Sequence, residues 1–103
     1  MTTALINRSE LQPLFDANWL LLDTRDAITK EFQFKSFKQA WAWMSEIALC
    51  AEQLDHHPEW SNTYNRVHVI LTTHSCNGLS DLDVKLAKLM DEDIETSYHK
   101  PME

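Results

Sequence analysis

The chain has one glycine, Gly78, and three prolines. With so few breakers, long helices and strands joined by short turns are expected, and a flexible linker or a glycine-rich phosphate loop finds no support. Cysteine is equally scarce, with Cys50 and Cys76 alone. A small secreted domain would carry several pairs, so both are expected as free thiols in a reducing compartment, Cys50 as a small core residue. Basic side chains are outnumbered, 9 Lys and Arg against 16 Asp and Glu, for a formal charge of −7. That balance argues against nonspecific binding to nucleic acid or to an anionic membrane. No apolar run approaches the ~20 residues that cross a bilayer. The opening MTTALINRSE lacks the basic flank and apolar stretch of an export signal. A cytoplasmic protein is expected.

What is present suits one globular domain over 1–103, with a polar tail from about residue 95 expected to fray. Leu11, Leu14 and Phe15 share a face of a short first helix that Asn7 or Ser9 can cap. A strand at Trp19–Asp23 and a turn at Thr24–Asp26 lead to AITKEFQFK, where Ile28, Phe32 and Phe34 alternate with polar residues as in a half-buried antiparallel strand. Lys30 interrupts the apolar face. Ser36 and Gln39 form a capping box for a long helix over about 37–54. Its apolar stripe is read as Phe37, Ala40, Trp41, Met44, Ile47, Ala48, Ala51 and Leu54. EWSNTY and VHVILTTH form a second hairpin about Asn65-Arg66, with Val67, Val69 and Leu71 on one face. Gly78 is expected to supply a positive φ in the next turn. A last helix, about 80–92, places Leu82, Leu86, Leu89 and Met90 inward. The order helix-strand-strand-helix-strand-strand-helix predicts a two-layer α+β domain, a four-stranded antiparallel sheet with helices on one face. Its open edges make association of subunits, as a dimer or tetramer, an expectation.

The stretch LDHHPEW sets two histidines side by side before Pro58. Proline disfavours helical backbone at His57, so the long helix ends near His56 and the two rings diverge. On a helical wheel Glu52 reaches His56 and sits where core meets solvent, partly desolvated. Either histidine alone could simply cap helical carbonyls. Side by side with Glu52 and Asp55 nearby, they form a group of tunable acids and bases. His74 ends a strand and could face a cleft. Asp83 completes a capping box with Ser80 and needs no further role to explain it. Zinc finds enough nitrogen and oxygen ligands here but neither HExxH nor CxxC spacing, and His68 and His74 on one strand would stand about 20 Å apart at ~3.3 Å per residue. No metal site is expected.

Taken together, Glu52-x-x-x-His56-His57-Pro58, Tyr64, His74 and Asp83, with RDAI, DHHPEW, YNRVHV and TTHSCNGLS, resemble the pterin-4a-carbinolamine dehydratases over roughly 19–89. The resemblance implies the same α+β fold. It also implies dehydration of 4a-hydroxytetrahydropterin to quinonoid dihydropterin, which recycles the cofactor of aromatic amino acid hydroxylases. Neither a metal nor an organic cofactor is implied. On this resemblance His56, His57 and His74 line the pterin site, Glu52 and Asp83 are their acidic partners, and Trp60 is an aromatic neighbour. Animal members also serve a homeodomain transcription factor as dimerisation cofactors. A protein partner, and a nuclear as well as a cytoplasmic location, are therefore open alternatives.

Overall fold

The computed structural model describes residues 7–95. Most of the tail expected to fray, with His99, lies outside them. A 3-10 turn, Arg8–Leu11, capped by the Asn7 side chain, runs into helix α1, Gln12–Asp16. Strands β1 (Leu20–Leu21) and β2 (Ile28–Gln33), helix α2 (Phe37–Leu54), strands β3 (Glu59–Thr63) and β4 (Arg66–Leu71), and helix α3 (Asp81–Asp93) follow. The sheet is antiparallel in the order β1-β2-β4-β3. This is the expected α+β order. Among the described residues, no helix is long and apolar enough to cross a membrane.

Alternation sets the layers. Ile28 and Phe32 of β2 and Val67, Val69 and Leu71 of β4 are buried with Trp43, Ile47, Val84, Leu86 and Met90 of the helices. Glu31 and His68, paired across the sheet, lie exposed on the opposite face. Lys30 occupies a core-facing position of β2. Its ammonium lies 4.9 Å from the Phe32 ring centroid and bonds Asp91 at 2.7 Å, and Asp91 also accepts the Trp19 indole N–H at 3.0 Å. The stem therefore packs on the core while its charge is satisfied at the margin.

Several sequence expectations shift. The inward stripe of α2 is Ala40, Trp43, Ile47 and Ala51, while Trp41 is 56% and Phe37 48% exposed. Apolar residues almost encircle this helix, so period alone cannot select a face. The selection comes from tertiary aromatic contacts: Trp43 meets Phe32, Phe34 and Trp60 at 4.6, 5.3 and 6.3 Å, and its N–H reaches Met90 O at 3.4 Å. In α3 the buried residues are Asp83, Val84, Leu86, Ala87 and Met90, with Leu82 and Leu89 only half-buried. Cys50 is half-buried, and both cysteines are free thiols. The second hairpin turns at Tyr64 and Asn65, one residue earlier than expected, with Tyr64 at φ 50°.

Gly78 does not adopt a positive φ; Asn77 does, at 56°. The glycine answers a different need. A Cβ at position 78 would stand 2.5 Å from Asp26 Oδ2, an oxygen that accepts from Leu79 N–H at 3.1 Å and Arg8 at 2.8 Å.

Helices α2 and α3 also meet through two acids. Burial, then a hydrogen bond and charge repulsion from Glu46, push the Asp93 carboxyl up to about 6. The unfolded chain releases that proton near the ordinary value of 3.8. Stability therefore falls as pH rises between roughly 4 and 6 and stays lowered above that window. Asp93→Asn is expected to raise the urea midpoint at pH 7.5 and leave it almost unchanged at pH 4. An equal change at both pH values would reject this assignment.

Candidate active site

The site is built where α2 ends. Asp55 takes the left-handed conformation at φ 52°, its N–H donates to Glu52 O at 3.1 Å, and His56 N–H donates to Ala51 O at 3.0 Å. This is a Schellman closure made without glycine, and Pro58 prevents any continuation. The reversal sends the His56 ring inward, where it is buried, and leaves the His57 ring outside.

His56 Nε2 lies 2.6 Å from Asp83 Oδ1, and Asp83 is fully buried. The other oxygen, Oδ2, accepts from Thr73 Oγ1 at 2.7 Å and from Ser80 N–H at 2.9 Å. Thr73 has one hydroxyl proton and gives it to Asp83, so the 2.7 Å contact between Thr73 Oγ1 and Ser80 Oγ is donated by serine. Ser80 Oγ in turn accepts from Leu82 N–H at 3.3 Å. Asp83 thus caps α3 with one oxygen and holds His56 with the other. With Oδ2 taken by two donors, the carboxylate meets His56 as an acceptor, so Nε2 carries the imidazole proton and Nδ1 is left available.

Glu52 pairs with His57 and not with His56, its Oε1 lying 3.0 Å from Nε2. Its side chain is 79% exposed, so the expected partial desolvation is absent. The helical wheel fails here because the left-handed Asp55 ends the helical register before His56 is reached. His74 opens a 3-10 turn, His74–Cys76, which a pair of hydrogen bonds between Thr73 and Gly78 closes at 2.9 and 3.2 Å. Its Nε2 lies 2.9 Å from Glu59 Oε2. Arg25 grips the same carboxylate with two bonds, 2.8 Å to Oε1 and 2.7 Å to Oε2. These contacts, Arg25 first and His74 second, hold the Glu59 carboxyl down at about 2.

All three histidines line one cavity of about 380 Å³, together with Asp55, Glu59 and Thr73. That volume suits a small bicyclic molecule. Asp83 stands behind His56, and Glu52 lies outside the lining. Trp60 packs half-buried against the core and does not line the cavity either. Glu59 and Thr73 line the cavity and Arg25 grips Glu59, and sequence reasoning assigned a role to none of the three. Glu59 stands within the DHHPEW stretch, yet no local spacing ties it to Arg25, 34 residues earlier. Among the described residues, no group of three His, Cys, Asp or Glu side chains could hold a metal ion.

The pterin 4 alpha carbinolamine dehydratase family matches residues 3–93. The chain belongs to it. A dehydratase-family relative in Ruegeria pomeroyi is 54% identical over 81 residues, 79% of this chain and 84% of that protein. The pterin-4-alpha-carbinolamine dehydratase of Drosophila melanogaster is 53% identical over 78 residues, 76% of this chain but 41% of the longer fly protein. Among solved structures, the crystal structure of a transcriptional coactivator/pterin dehydratase from Brucella melitensis superposes with a TM-score of 0.78 at 48% identity, covering 85% of this chain and 96% of that one.

The carboxylates of this dehydratase-family site differ in how much the fold depends on them. Asp83→Ala strands a buried imidazole, two donors and a helix cap, and is expected to cost about 3–5 kcal/mol in urea denaturation. Glu52→Gln removes only an exposed pair and should cost less than about 0.5 kcal/mol. Equal losses would show that the two pairs do not differ in burial as described.

Proposed function

We propose that this protein dehydrates a 4a-hydroxytetrahydropterin to quinonoid dihydropterin and water, with its histidines moving the protons. The reading rests above all on the convergence of His56, His57 and His74 on one cavity in a chain of this family. The C4a–O bond breaks when the hydroxyl takes a proton and departs as water. A ring nitrogen gives up its proton as the new C=N bond forms. One acid loses a proton and one base gains one, on opposite sides of a small ring system. Imidazoles suit both tasks near neutrality.

In this reading His56 and His74 bracket the C4a hydroxyl and His57 meets the ring edge. Asp83 fixes His56 firmly, and Glu52 holds His57 loosely enough to follow a ring edge. Trp60 acts from the core side, supporting the strand that carries Glu59. Stopped-flow decay of 4a-hydroxytetrahydropterin should accelerate with the protein present. His56→Ala, His57→Ala and His74→Ala are each expected to lose about 10²–10⁴-fold in kcat. Undiminished turnover in His57→Ala would remove that residue from the mechanism.

A second reading concerns the outer face of α2. Phe37 and Trp41 stack there at 6.1 Å, and Leu49, farther along the helix, is 69% exposed. Apolar surface of this kind suits another chain, a second copy in a homo-oligomer or a transcription factor, as the coactivator from Brucella melitensis suggests. Trp41→Glu should lower the mass measured by light scattering while leaving the circular dichroism spectrum intact. An unchanged mass would place any oligomer contact elsewhere.

A further inference from the structure

We infer that Arg25 and Glu59 form a clamp that positions His74 in the site, presenting Nδ1 to the substrate by engaging Nε2. The inference rests on the dehydratase reading above and adds to it two residues that touch a histidine without being required to touch the pterin.

Three distant segments supply the clamp: the loop between β1 and β2 gives Arg25, the first residue of β3 gives Glu59, and the turn after β4 gives His74. Both oxygens of Glu59 are occupied, Oε1 by Arg25 and Oε2 by Arg25 and His74 together. A carboxyl held down at about 2 is an acceptor throughout the pH range in which imidazole changes charge. The nitrogen facing it must therefore carry a proton. In neutral His74 the lone pair then sits on Nδ1, and in the imidazolium Nδ1 is the proton available for transfer.

The setting makes such positioning necessary. The His74 side chain is 76% exposed, so little packing restrains it. It also stands between two cavities. Besides the 380 Å³ cavity of the three histidines it lines a second of about 370 Å³, which includes Arg25 and Asn77. Glu59 borders only the first cavity and Arg25 only the second, so the ion pair runs beside the ring from one to the other. A released ring could turn toward either. Exposed ion pairs add little to stability, and the value of a bidentate grip lies in fixing geometry. The same logic orders His56 through Asp83, but there burial supplies the rigidity that an exposed His74 must obtain from Arg25.

Nitrogen-15 NMR of the wild-type protein tests the clamp without an activity assay. With His74 assigned by loss of its signals in His74→Gln, the neutral ring should show a protonated Nε2 and a pyridine-like Nδ1. In Glu59→Ala and Arg25→Met the two nitrogens should move toward averaged shifts. In stopped flow both variants should lose about 10–100-fold in kcat, with KM changed less than about threefold, the mark of a misplaced but uncrowded group. An unprotonated Nε2 in neutral wild-type His74, or a Glu59→Ala kcat within twofold of wild type, would overturn the inference. A wild-type protein without dehydratase activity would instead refute the dehydratase reading, while the NMR measurement would still decide whether the clamp exists.

Discussion

Burying a carboxylate costs several kcal/mol in lost hydration unless donors surround it, and Asp83 meets that requirement with His56 Nε2, Thr73 Oγ1 and Ser80 N–H. The donors come from the end of α2, the end of β4 and the approach to α3. Satisfying one buried charge therefore draws three segments to a single point. The cavity opens beside that point, with His56 fixed in its wall by the carboxylate that starts α3. Folding and site geometry share one constraint: a displaced Asp83 would loosen a helix terminus and a histidine together.

Much of the architecture was legible because it rests on local rules. Period-two alternation in β2 and β4 and the Ser36 and Ser80 caps each depend on residues a few positions apart. What was not legible depends on partners far along the chain. Trp43 is chosen over Trp41 for the core by Phe32, Phe34 and Trp60, which no helical wheel includes. Gly78 is required by an aspartate 52 positions earlier and not by its own backbone angles. The reach of Glu52 to His56 was misjudged because one left-handed residue, Asp55, shifts everything after it.

The candidate site divides in the same way. The histidines stood out because adjacent imidazoles before a proline are unusual, and the resemblance grouped them with His74, Glu52 and Asp83. Their pairing is a tertiary matter: Asp83 with His56, Glu52 with His57, Glu59 with His74. Glu59 and Arg25 fall within the expected strand and turn, and the sequence assigns neither a role. Only folding places both beside one imidazole.

The burial of His56 has a kinetic corollary. The ring has almost no contact with bulk water and lines the cavity that a bound ligand would fill. Many acid–base reactions would stall there, waiting for solvent to restore the catalyst. The proposed dehydration would not, because the proton taken from the ring nitrogen equals the proton leaving with the water. In that proposal one proton returned from base to acid would restore both imidazoles. A shielded histidine is thus suited to a dehydration that takes up and gives out equal numbers of protons.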